Sequence, residues 1–216
     1  MHHLATQTVN CKLPALSVVE VSTINYNIAL FGTSADPPTI AHQEIITWLG
    51  TQFDKVAVWA ADNPFKTHGA SLEQRSRMLE LTIAEIDNRI DRQIKVYPNL
   101  SNRRTLETLI TAQAIWEDAN FTLVIGADLV EQLPQWYQAA KLLNQVKLLI
   151  VPRQGVEIEQ TSIQTLINLG GQISIAPLAT PAISSTIIRT MSSSESIQSL
   201  NPNVAKYIQQ QHLYKS

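Results

Sequence analysis

A doubly wound α/β domain, with a mainly parallel sheet and helices on both faces, is the fold class this chain predicts. Three observations carry the prediction. Short apolar runs alternate along the chain with longer segments of helical period. Most of those runs are continuously apolar rather than alternating, the pattern of strands covered on both faces. A length of 216 residues with 44% apolar content suits one domain with a substantial core, and is too short to expect two.

Taken in order, strands are expected over residues 26–31, 55–60, 94–97, 122–125, 147–151 and 172–175. Between them, helices are expected over 40–50, 72–88, 106–118 and 162–169, with a final helix over 204–211. In the second helix Leu72, Arg75, Leu79, Leu81, Ile83 and Ile86 are spaced so that one side can be buried. Thr105 is a candidate N-cap for the third, although no capping-box residue follows it at the right distance. The run Ser192-Ser193-Ser194-Glu195-Ser196 reads as a polar break before the final helix. In such a fold, ligands bind outside the carboxyl ends of the strands.

Residues 1–25 read as a flexible N-terminal extension and 26–216 as the domain. The extension contains a mildly apolar piece interrupted by Pro14, Ser17 and Glu20, and lacks the basic start and compact apolar core of a signal peptide. No run is long and apolar enough to suggest a membrane span. A net charge of −2 offers no footprint for non-specific nucleic-acid binding or for a basic membrane-surface protein. The single cysteine, Cys11, excludes an internal disulfide and a cysteine-based zinc site, and fits a cytoplasmic setting.

The most informative stretch follows the first apolar run: Phe31-Gly32-Thr33-Ser34-Ala35-Asp36-Pro37-Pro38-Thr39-Ile40-Ala41-His42. A Gly-led loop of small residues is expected to lead into a helix. Thr39 and His42, three apart, then share one face near its N-terminus. Backbone amides, a helix terminus and an imidazole together suit a polyphosphate. The loop is neither a Walker loop, since no Gly-Lys-Ser/Thr closes it, nor a dinucleotide-binding G-x-G-x-x-G.

This run resembles the (His/Thr)-x-Gly-His signature of the nucleotidylyltransferase superfamily. Near the other end, Ile183-Ser184-Ser185-Thr186-Ile187-Ile188-Arg189 is similar to that superfamily's Ile-Ser-x-Thr-x-Ile-Arg motif. Two motifs in the expected order are far more specific than either alone. The resemblance narrows to the nicotinate mononucleotide adenylyltransferases through Asn63-Pro64-Phe65-Lys66, Arg75-x-x-Met78-Leu79-Glu80-Leu81 and Thr105-x-x-Thr108-Leu109. Ile125-Gly126-Ala127-Asp128, Pro134-Gln135-Trp136-Tyr137, Val151-Pro152-Arg153 and the closing Tyr207-Ile208-x-x-x-His212-Leu213-Tyr214 extend it. The chain departs from the family where Thr33 and Ala41 replace Gly, Ala35 replaces an aromatic and Thr39 replaces His. Arg103-Arg104 stands where a Ser-Tyr pair is common.

The resemblance implies a single-domain Rossmann-like nucleotidylyltransferase fold. It also implies transfer of AMP from ATP to nicotinate mononucleotide, giving deamido-NAD and pyrophosphate. His42 would donate to an α-phosphate oxygen, and Thr39 would assist there or orient the loop. Gly32, Thr33, Ser34, Gly126, Asp128 and Arg153 would line the ATP site. Ser184, Ser185 and Thr186 would face the β- and γ-phosphates, and Arg189 the departing pyrophosphate. Lys66 would meet the acceptor's phosphate, Trp136 would stack on its pyridine ring, and Tyr137, Thr105 and Arg104 would hold its carboxylate. Mg²⁺ would bind mainly through the ATP phosphates, with no metal cage of protein side chains. A nicotinamide mononucleotide or dual-specificity adenylyltransferase, and a non-catalytic nucleotide-binding relative, are the alternatives. A homo-oligomer is compatible with either.

Overall fold

The computed structural model of the chain describes residues 25–63, 66–86, 93–178, 180, 183–190 and 199–214. The expected extension lies outside them apart from Asn25, as does the polar break at 192–196. Among the described residues six strands form one sheet: β1 (Asn27–Thr33), β2 (Lys55–Ala60), β3 (Gln93–Val96), β4 (Asn120–Gly126), β5 (Lys147–Val151) and β6 (Gln172–Ile175). Their order is β3-β2-β1-β4-β5-β6, and every neighbouring pair is parallel. Parallel neighbours need crossover segments, and the helices supply them. These are α1 (Ile40–Gln52), α2 (Leu72–Ala84), α3 (Thr105–Ile115), α4 (Ala139–Leu143), α5 (Gln160–Asn168), α6 (Ser185–Thr190) and α7 (Pro202–Gln210).

The strand pleat divides the core in two. Ile28 and Leu30 of β1 point to one face, where Leu106 and Leu109 of α3, Leu142 of α4 and Leu166 of α5 cover them. Ala29 and Phe31 point to the other, under Ile46 and Leu49 of α1 and Leu79 of α2. A smaller cluster of Ala70, Met78 and Val204 seats α7 against α2, with Tyr207, Leu213 and Tyr214 packed around it. The doubly wound arrangement expected from the continuous apolar runs is therefore present.

Several boundaries differ from the expectation. β1 runs on through Gly32 and Thr33, which pair with Trp59 and Ala60. Gly32 and Thr33 are strand residues rather than loop residues, and the loop begins at Ser34. The expected second helix ends at Ala84, where Ile86 N–H turns back to Ile83; residues 87 and 88 lie outside the described ones. The N-cap of α3 is Arg104 rather than Thr105, which is already the first helical residue. α3 stops at Ile115, short of the expected 118, and Asp118 adopts a positive φ of 59°. α7 starts with Pro202 at its first position, with the Asn201 side chain accepting from Asn203 N–H.

Candidate active site

β1 is flanked by β2 on one side and β4 on the other, so the chain reverses its direction of winding between β1 and β4. A crevice at the carboxyl ends of those two strands follows from that topology. The loops after β1, β4 and β5 deliver Thr39 and His42, Asp128, and Arg153 to that edge.

Thr39 is the N-cap of α1 and His42 occupies its third position. The Thr39 N–H donates to His42 Nδ1 at 3.0 Å, and the Thr39 hydroxyl lies 2.9 Å from the same nitrogen. An imidazole here takes the part that Glu or Gln plays in a capping box. Because a backbone N–H can only donate, Nδ1 is the unprotonated nitrogen, and the hydrogen of the neutral ring sits on Nε2. Burial holds the His42 pKa down at about 4, with Arg153 adding to the fall and Asp128 opposing it. The result is a neutral donor at physiological pH. Thr39, only 1% exposed, is placed to orient this ring.

Asp128, after β4, and Arg153, after β5, act on His42 through their charges. Arg153 Nη1 stands 3.8 Å from Asp128 Oδ2, and its Nη2 points to the Ile183 carbonyl at 3.5 Å. Gly126, which ends β4, leaves room for that carboxylate: a Cβ there would lie 2.5 Å from Asp128 Oδ1. Through Arg153 the second motif joins the first. Ser185 Oγ also donates to the Pro37 carbonyl at 2.8 Å, across 148 residues. The Ser184 hydroxyl oxygen accepts from Ile187 N–H at 3.1 Å, so it caps α6 while its own hydrogen remains available. Arg189 is not free-standing: it donates to the Asp36 carbonyl and approaches the Asp36 carboxylate and the Thr186 hydroxyl.

Gly32 serves packing. A Cβ at this position would lie 2.4 Å from the Trp59 indole, so the missing side chain makes room for a buried tryptophan. Ser34 contributes its carbonyl, which accepts from Arg75 Nη1 at 2.8 Å; the same nitrogen donates to Ala61 at 2.9 Å. Arg75, 2% exposed, thereby ties the loop after β1 to the end of β2. Among the described residues, its Nε and the His68 Nε2 are buried without a hydrogen-bond partner. Burial lowers the pKa of both groups, with Asp36 acting in the opposite sense on each.

The residues expected to hold the acceptor lie on the segments after β2, β3 and β4. Arg104 stacks on the Tyr137 ring, 4.1 Å from its centroid, and its Nη1 approaches Glu107 at 3.4 Å. Trp136 is partly buried against the core below α3, and Thr105 opens that helix. Lys66 is exposed, its N–H donating to the Asn63 carbonyl at 3.2 Å. Among the described residues no hydrogen bond or ion pair joins this group directly to His42.

Asp36, Arg75, His68 and Tyr214 are structural members of the site that the sequence reading did not single out as site residues. Asp36 stood in the middle of the first motif, but its partners lie up to 178 residues away and follow no periodicity. An open groove of about 650 Å³ lies between α1 and the start of α7, lined by Gln43, Trp48, Leu178 and Pro202. Thr39, His42, Asp128 and Arg153 are not among its lining residues. Among the described residues no three His, Cys, Asp or Glu side chains come together as metal ligands, and no helix is long and apolar enough to cross a membrane.

Residues 30–191 match the cytidylyltransferase-like family, three quarters of the chain. A Synechocystis protein described as a probable nicotinate-nucleotide adenylyltransferase is 43% identical, over 87% of this chain and 98% of that protein. A Bacillus cereus protein with the same description is 28% identical over 88% and 98%. The fold is also that of the Plasmodium falciparum nicotinic acid mononucleotide adenylyltransferase solved with NaAD, with a TM-score of 0.74 at 19% identity, covering 88% of this chain and 98% of that one. With an imidazole capping α1 and a second motif meeting it near the switch point of such a sheet, the chain belongs to the nicotinate-nucleotide adenylyltransferase family of cytidylyltransferase-like proteins.

Proposed function

We propose that this chain transfers AMP from ATP to the 5′-phosphate of nicotinate mononucleotide, forming deamido-NAD and pyrophosphate. An oxygen of the acceptor phosphate attacks the α-phosphorus, and the bond from that phosphorus to the bridging oxygen of the β-phosphate breaks. The electron pair leaves with pyrophosphate. The observation that carries the reading is the neutral His42, whose only ring hydrogen is on Nε2 while Nδ1 is occupied by Thr39.

That arrangement makes His42 a donor and not a base. A base is unnecessary, because a phosphate monoester with a second pKa of about 6 is largely ionised at neutral pH. Catalysis can rest on holding two anions in line and stabilising charge as it develops on the α-phosphate oxygens. Arg153, whose charge acts on His42, adds fixed positive charge, and Ser184, Thr186 and Arg189 would meet the β- and γ-phosphates. Mg²⁺ would arrive on the triphosphate and neutralise part of its charge, with Asp128 as the carboxylate whose charge reaches His42. Lys66 would take the acceptor phosphate and Trp136 its ring. The Arg104–Tyr137 stack places a cation beside that segment, which favours a carboxylate over a neutral carboxamide. A chain with one cysteine suits a reducing cytoplasm.

The test is pyrophosphate release from Mg-ATP with nicotinate mononucleotide and, separately, with nicotinamide mononucleotide. Release with both and a higher kcat/KM for the acid is expected. A strong preference for the amide would overturn the acceptor assignment, and ATP binding without pyrophosphate release with either would overturn the reaction.

A further inference from the structure

Segments remote in sequence meet on the carboxylate of Asp36, which is 1% exposed. Its Oδ2 accepts from Gly69 N–H at 2.8 Å and its Oδ1 from Ala70 N–H at 3.1 Å. The Tyr214 hydroxyl donates to Oδ1 at 2.7 Å. Arg189 Nη1 lies 3.4 Å from Oδ2 while donating to the Asp36 carbonyl, and His68 Nδ1 stands 3.6 Å from Oδ2. One side chain thus joins the loop that carries Thr39, the approach to α2, helix α6 and the end of the described chain.

A buried carboxylate is costly unless its lone pairs are filled, and an apolar contact could tie these segments together at lower cost. A carboxylate adds direction. Arg189 is held on one side by Asp36 and on the other by the Thr186 hydroxyl at 3.5 Å, which fixes the plane of its guanidinium. Tyr214 in turn fixes Asp36. Its ring lies over Gly69, where a Cβ would stand 2.8 Å from the ring carbons, and packs against the Ala70–Met78–Val204 cluster. Burial above all, then the bond to Asp36, raises the Tyr214 pKa far above the ordinary tyrosine range, so the hydroxyl remains a donor.

We propose that Asp36 is a positioning residue for adenylyl transfer: braced by Tyr214, it sets the Arg189 guanidinium against the loop that carries His42, aligning the two phosphate-facing motifs through one carboxylate. The proposal rests on the adenylyl-transfer reading for its catalytic consequence, though the alignment itself can be read from nucleotide binding.

A double-mutant cycle on the full chain tests it, using Asp36→Asn, Arg189→Ala and the pair, read as turnover and as Mg-ATP affinity by calorimetry. Asp36→Asn is expected to lower kcat about tenfold in the natural background and less than about twofold when Arg189 is already alanine. A coupling of at least about threefold in Mg-ATP affinity is expected in the same cycle. Additive effects on both readouts would overturn the proposal, because a merely structural carboxylate would lose its contribution whether or not Arg189 is present. If Asp36→Asn does not fold, Tyr214→Phe decides: it keeps the ring, and unchanged kcat and affinity would count against the brace. A natural chain that binds Mg-ATP without releasing pyrophosphate defeats the adenylyl-transfer reading alone, and the affinity cycle still judges the positioning role. A chain that binds no Mg-ATP defeats both.

Discussion

An imidazole that accepts on Nδ1 from a backbone amide keeps the hydrogen of its neutral form on Nε2, so the capping contact of His42 suits donation rather than proton abstraction. His42→Ala should lower kcat at least about a hundredfold, the scale set by removing one oxyanion donor. The lost cap should cost only about 1 kcal/mol, leaving the chain folded by circular dichroism. Near-normal turnover would end the proposed role. NMR titration provides a second check, with a His42 pKa near 4 expected in the free protein. Arg153→Ala should move it up, since a positive neighbour that disfavours imidazolium is removed. Saturating ATP should also move it up, because a nearby anion favours the charged ring. The stability consequence has a definite sign. With the folded pKa below the unfolded value of 6.5, the unfolded chain binds the extra proton between about pH 6.5 and 4, so His42 makes the fold less stable as pH falls through that window. Thr39 and His42 were legible because their spacing is local. Asp36 and Arg75 were not, since a carboxylate with donors 33, 34, 153 and 178 residues away leaves no local pattern.

At the scale of elements, the end of β1 shows how a motif read in isolation sets the strand boundary too early. Gly32 suggested a phosphate-binding turn, yet its register with Trp59 continues the strand, and the indole occupies the space a side chain would need. Gly32→Ala should therefore act as overpacking and destabilise the chain by about 1–3 kcal/mol in urea unfolding. Combining it with Trp59→Ala should give less destabilisation than the two changes summed, because the clash disappears with the ring. Strict additivity would mean that the two side chains do not compete for that space. The strands were legible because buried parallel strands are continuously apolar, and Lys147–Val151 matched its expected limits to the residue. Helix ends were less so. Arg104 caps α3 with no side-chain bond to the backbone, so the sequence held no capping signal there, and Thr105 drew the assignment one residue too far along. The five-residue α4 was too short to show a period.

Across the whole molecule, the strand order β3-β2-β1-β4-β5-β6 explains why residues from both ends of the chain can serve one ligand. The first motif leaves the carboxyl end of β1 at the centre of the sheet. The second follows β6 at the edge and must return across the top of the sheet, where Ser185 reaches Pro37 and Arg153 reaches Ile183. Alternating apolar and helical segments made the fold class readable, but the return of α6 to β1 is a tertiary contact that only the two-motif resemblance hinted at. A nucleotide spanning both motifs should therefore act as a cross-link between the first and last parts of the domain. At a free Mg-ATP concentration of 100 times Kd the linkage is worth about 2.7 kcal/mol, which for a domain of this size corresponds to a rise in Tm of roughly 5–11 °C. His42→Ala and Arg189→Ala should each reduce that shift at fixed ATP, because each removes a contact from a different motif. If only the His42 change reduces it, the triphosphate is held by the β1 loop alone and α6 takes no part in binding.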